Sequence, residues 1–158
     1  MTAINQIKTY VDYHYAMTRR VWESIDGITD EQFVQDDAYS RGSIRNLMTH
    51  LTRADERWLT GFKMLPDLNK GFKFENYPTR AAAREYFESV ANDMRDYVSK
   101  LVETDLEQNP TGMPGLRWQV LLHMVNHGTD HRAQALHLLH SLGAPTFDQD
   151  FILWLPKK

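Results

Sequence analysis

The sequence predicts an all-α protein: a four-helix bundle with a long loop after the second helix and a short C-terminal extension. Three observations support that class. Four segments of roughly 20 to 27 residues repeat apolar side chains at steps of three and four, the period of a helix with one buried face. Nothing between them alternates apolar and polar residues as a half-buried strand would. Glycine or proline punctuates the segment ends. The 158 residues fit one domain spanning 1–158, long enough to hide about 70% of the unfolded surface.

The first helix is expected from about Thr2 to Asp26, striped by Ile7, Tyr10, Val11, Tyr15, Val21, Trp22 and Ile25, with Gly27 placed to end it. The second runs from about Ser43, a plausible N-cap, to Phe62, with Ile44, Leu47, Leu51, Ala54 and Trp58 on one side. The third follows Pro78 and covers about Thr79 to Val102, with Tyr86, Val90, Met94, Tyr97, Val98 and Leu101 aligned. The fourth begins near Leu116 and ends at Leu142, where Gly143 and then Pro145 stop it. Helices of that length are about 30 to 40 Å long. The connection from Gly61 to Pro78 spans eighteen residues, and loops of that size are often functional, so it is expected to border a pocket or a partner surface. The tail FDQDFILWLPKK adds one turn or an extended piece before Pro156 closes it.

Composition removes several function classes. The net charge is −3 and no cluster of five basic residues occurs, so nucleic acid is a poor partner, since backbone binding rests on several Lys and Arg contacts. No apolar run reaches about 18 residues, and the N-terminus carries neither a signal nor a transit pattern, which predicts a cytoplasmic protein with no membrane partner. Cysteine is absent, which excludes disulfides, cysteine zinc sites and a cysteine nucleophile; any thiol chemistry needs a thiol from outside.

Histidine is the distinctive residue. Residues 123–140, HMVNHGTDHRAQALHLLH, hold five of the seven. At 100° per residue, His123 and His131 lie about 40° either side of His127, on the face that also carries Val120, Met124 and Leu138. His137 and His140 fall about 80° and 140° away and are poor ligands. His14, between Tyr13 and Tyr15, is read as interfacial or solvated, and His123 as a packing or ligand-supporting residue. His50 sits within the second helix's apolar stripe. A His-x3-His pair on one helix brings both rings to one ion, so His127 and His131, joined by His50, form a three-nitrogen metal site with one side open. That is the donor set of a catalytic rather than a structural centre. The expected cofactor is a divalent ion, zinc, nickel or another first-row transition metal. Asp130 and Asn126 flank the ligands and are candidates for orienting a ring N–H, while Asp130, about 60° off the line, fits a solvated or inter-helical role equally well.

The chain resembles the DinB family of metal-binding four-helix bundles, the DinB/YfiT-like group, over nearly its whole length. The resemblance rests on His50 in NLMTHLTRADERWL, on NHGTDHRAQALHLLHSLG at 126–143, and on APTFDQDFILWL after it. It implies an up-down-down-up bundle, metal ligation by His50, His127 and His131, and a homodimer formed through helical faces that would shelter aromatic residues of the first and third helices. The family often has Arg-Gly-Gln after the last ligand; here the residues are Arg132-Ala133-Gln134.

Two functions are expected. One is a metal-dependent transferase or hydrolase acting on a small-molecule substrate, with an external low-molecular-weight thiol as co-substrate, which is what relatives described as thiol-dependent S-transferases imply. Its substrate contacts are sought in loop 61–78 and near Phe151 and Trp154. The alternative is a non-catalytic metal-binding protein of the stress or DNA-damage response, as the family name suggests.

Overall fold

The computed structural model describes residues 2–66, 70–110 and 112–156. Six α-helices occur there: α1 Ala3–Ile25, α2 Asp30–Val34, α3 Ile44–Phe62, α4 Arg80–Ser99, α5 Arg117–Ser141 and α6 Phe151–Trp154, with single 3-10 turns at Phe74–Asn76 and Glu103–Asp105. The four long helices are the four that the apolar period predicts, and no strand occurs among the described residues.

Contacts between helices fix their directions. Asp12 pairs with Arg95, Arg19 with Glu88 and Asp26 with Arg84, so α1 and α4 run antiparallel. Tyr86 donates to Glu56 and Phe62 stacks on Tyr97, so α3 and α4 run parallel. α5 runs against α3, with His131 beside His50 and His123 beside Trp58. It runs along α1, with Gly128 against His14 and Arg132 bonded to Thr18. The order is up, down, down, up. This topology accounts for the length of the 61–78 connection. Parallel α3 and α4 need a link that travels back along α3, about 28 Å for its 19 residues. Residues 67–69 of that link lie outside the described ones.

The apolar stripes meet in one core that includes Ile7, Val11, Trp22, Leu47, Met94, Leu121 and Met124. Local chemistry sets the helix ends. Ser43 caps α3 by accepting from the Asn46 amide, and Thr79 caps α4 by accepting from that of Ala82. Gly143, at φ 78°, ends α5 in the left-handed conformation. Gly27 differs from expectation: it has no positive φ, and its missing side chain instead admits Pro145 Cδ, 3.2 Å from where a Cβ would stand. α4 stops at Ser99, short of Val102, because the chain turns to bury Leu101 and Leu106. α2 is too short for a periodicity window, yet it carries a local signature: Thr29 and Gln32 form a capping box. The tail folds as one turn, α6. Phe151 and Trp154 close over Tyr13, and Phe151 stacks on Tyr10, so aromatic residues of α1 find cover within the chain.

Candidate metal centre

α3 and α5 lie side by side and antiparallel, which brings the second-helix histidine level with the fourth-helix pair. Ring centroids are 5.3 Å apart for His50 and His127, 4.9 Å for His50 and His131, and 4.4 Å for His127 and His131. One ring nitrogen from each lies within 4.8 Å of the others. Nitrogens bound at about 2.1 Å to one tetrahedral ion stand about 3.4 Å apart, a spacing somewhat tighter than the 4.8 Å limit within which these three lie.

The donor chemistry fits a borderline transition metal. Burial, with Arg41 and the other two imidazoles adding to it, pushes His50 down to about 4. Burial likewise takes His127 down to about 4, with His131 contributing. Both rings are therefore neutral at pH 7 with lone pairs available. His127 Nδ1 is buried without a hydrogen-bond partner among the described residues.

Neighbours orient the other two rings. His131 Nδ1 lies 3.0 Å from Gln134 Oε1. An amide oxygen only accepts, so Nδ1 carries the proton and Nε2 is left as the donor to a metal. Gln134 is itself fixed by Ser40, which donates to its oxygen, and by Asp130, which accepts from its Nε2 at 3.2 Å. Asp130, which is exposed, touches no ring and reaches His131 only through Gln134, and Asn126 is exposed with no hydrogen bond to the cluster among the described residues. Arg41, on the loop before α3, donates to His50 Nε2 at 3.2 Å and must swing away for that nitrogen to bind a cation. No spacing rule points to Arg41 or Ser40, because both come from an irregular loop.

Of His123 and His14, only the second departs from the sequence reading. His123 is exposed, yet it packs as expected, its ring edge-on to Trp58 at 5.5 Å and stacked near His127 at 5.9 Å. His14 is neither interfacial nor solvated but fully buried. Its Nε2 donates to Asp55 at 3.0 Å and its Nδ1 accepts from Arg132 at 3.0 Å. Tyr15 also donates to Asp55. Arg132 and Asp55, both buried, are thereby joined through a neutral imidazole whose tautomer their charges fix. Burial holds His14 below the ordinary histidine value, against the opposing pull of Asp55. Gly128, next to His127, makes room for this ring: a Cβ there would stand 2.3 Å from it.

A groove opens beside the cluster. Its volume is about 280 Å³, and its walls are Ala54, Arg57, Trp58 and Gly61 of α3, His123 and His127 of α5, and Gly112 and Met113. The expected substrate contacts largely lie elsewhere. Lys63, Leu65 and Pro66 of the 61–78 connection border a different cavity, with Glu56 and Tyr86. Phe151 and Trp154 sit on α1.

The DinB family model matches residues 1–155. The chain belongs to the DinB family. Among solved structures, this DinB chain is similar to a DinB-like protein from Bacillus cereus ATCC 10987, at 19% identity and a TM-score of 0.65, covering 84% of this chain and 89% of that one. It is also similar to a conserved protein from Enterococcus faecalis, at 13% identity and a TM-score of 0.68, covering 89% and 96%. At such identities the similarity is one of fold. No curated protein matches the chain. In this DinB protein, Ala133 is exposed within an unbroken α5, so the alanine after Arg132 disturbs no packing. Among the described residues, no helix is long and apolar enough to cross a membrane.

Proposed function

We propose that His50, His127 and His131 hold a divalent first-row transition ion, zinc or nickel among them, and that the protein is a metal-dependent transferase or hydrolase acting on a small molecule. The observation that carries this reading is the convergence of three ring nitrogens, within 4.8 Å of one another, at the edge of an open groove. A structural zinc site closes all four positions with protein donors, whereas three imidazoles leave one for water or a substrate atom. An ion bound there supplies Lewis acidity, lowering the pKa of a coordinated water or thiol towards neutrality. The chain supplies the rest. Gln134 holds His131 in the tautomer that presents Nε2, and the positive charge of a bound ion favours an anionic donor such as a thiolate. With no cysteine in the chain, that thiolate belongs to a low-molecular-weight co-substrate.

A second reading is a metal-binding protein without catalysis. It is favoured by the groove wall, where, among the described residues, His123 is the one side chain besides the ligand His127 suited to proton transfer. Elemental analysis of the purified protein beside His50→Ala, His127→Ala and His131→Ala tests the centre. The expected result is one ion per chain in the parent and loss of the ion in each variant, with helical circular dichroism retained. Equal metal content in all four proteins overturns both readings. Metal-dependent turnover of a thiol and an electrophile separates the first from the second.

A further inference from the structure

The groove beside the cluster has a construction of its own. Positions 54, 57, 58 and 61 share one face of α3, and two of them, Ala54 and Gly61, carry little or no side chain. The missing bulk opens the channel. Met113 closes its far end by packing onto Gly61, where a Cβ would stand 2.5 Å from the Met113 sulfur. From Ala54 to Gly61 the helix advances about 10 Å, and along that length the wall is apolar and aromatic: Trp58, Met113 and the His123 ring. The rings of Trp58, His123, His127 and His131 follow one another at centroid separations of 5.5, 5.9 and 4.4 Å, leading to the three-histidine cluster.

The charge on this wall has one sign. Arg57 lines the groove, is exposed, and makes no hydrogen bond or ion pair among the described residues, although nearly every other arginine of the bundle is engaged. Among the described residues, no carboxylate lines the groove. A channel with an aromatic floor, a thioether stop and a single unengaged guanidinium matches the chemistry of a small organic acid with an apolar body.

We propose that the groove binds an aryl- or alkyl-substituted carboxylic acid, its apolar body between Trp58 and Met113, its carboxylate on Arg57 and its other end toward His127. This assigns the substrate class of the centre proposed above. Only the direction of the reactive end rests on that reading, because the body and the carboxylate are held by residues that bind no metal.

The test uses metal-free protein and 4-phenylbutyrate, followed by the Trp58 indole N–H and Met113 methyl resonances, with the neutral amide 4-phenylbutyramide alongside. Both signals are expected to shift saturably with the acid. Arg57→Gln is expected to weaken the acid at least fivefold and the amide less than twofold, while Trp58→Ala weakens both. Arg57 is exposed, so its variant keeps the fold, and the acid-to-amide comparison in the parent protein reads the charge preference independently. Absence of saturable shifts at Trp58 and Met113, shifts centred on the Leu65 and Pro66 cavity, or equal weakening of acid and amide by Arg57→Gln would overturn the proposal. Acid binding by a protein that never takes up an ion leaves it standing and sinks the metal reading; metal uptake without acid binding does the reverse.

Discussion

Asp55, His14 and Arg132 join a negative charge, a neutral ring and a positive charge, one residue from the three-histidine cluster. Buried charges are costly to leave alone, so the line should fail when either end is removed. Asp55→Ala strands the Arg132 guanidinium, which is 0% exposed, and is expected to cost about 3–5 kcal/mol in urea denaturation. Adding Arg132→Met should restore part of that loss, and a double variant no better than the single would contradict the coupling. Gly128→Ala sets two effects against each other. Alanine favours the helix by about 1 kcal/mol over glycine, but its Cβ would meet His14 at 2.3 Å in a site with no exposed surface. Overpacking of that kind costs about 1–3 kcal/mol, so a lower melting temperature is expected; a raised one would show that the ring can move aside.

The start of α3 links helix chemistry to the three-histidine cluster. Ser43 is 1% exposed and satisfies the Asn46 amide, while Asn46 Nδ2 donates to the Arg41 carbonyl, so the cap also anchors the loop that carries Arg41 and Ser40 over the cluster. Ser43→Ala should cost about 1 kcal/mol, the usual loss for a cap of this type, read as a shift of the urea midpoint at unchanged slope. No measurable shift would mean that water replaces the hydroxyl. Thr79 and Thr29 perform the same service for α4 and α2.

The fold as a whole responds to acid through histidines that it keeps neutral. His14, His50 and His127 are all held below the ordinary histidine value, chiefly by burial, the latter two at about 4. In the unfolded chain each protonates near 6.5. Between those values the unfolded state binds protons that the native state does not, so stability rises with pH there. Stability is therefore complete above about 6.5 and declines as the pH falls towards 4. The denaturation midpoint of the metal-free protein should drop from pH 7 to pH 5, and a flat profile would disprove the assignment. A bound ion adds stability by mass action and should steepen the same acid loss, because protons then compete with it.

Much of this protein is local information. The 3.6-residue period, the caps at Ser43 and Thr79 and the stop at Gly143 act within a few residues of themselves, and they are readable as such. The i, i+4 spacing of His127 and His131 is likewise a property of one helix, and His50 follows from its stripe. Gln134 lies three residues from the ring it orients and could have been found from that spacing. The partners of His14 could not: Asp55 and Arg132 are 41 and 118 residues away, and a histidine between two tyrosines reads equally as surface or core. The room made by Gly128 and the groove behind Trp58 have the same origin. Each exists only where separate helices meet, and which side chains face one another there is set by how the bundle packs, not by any interval along the chain.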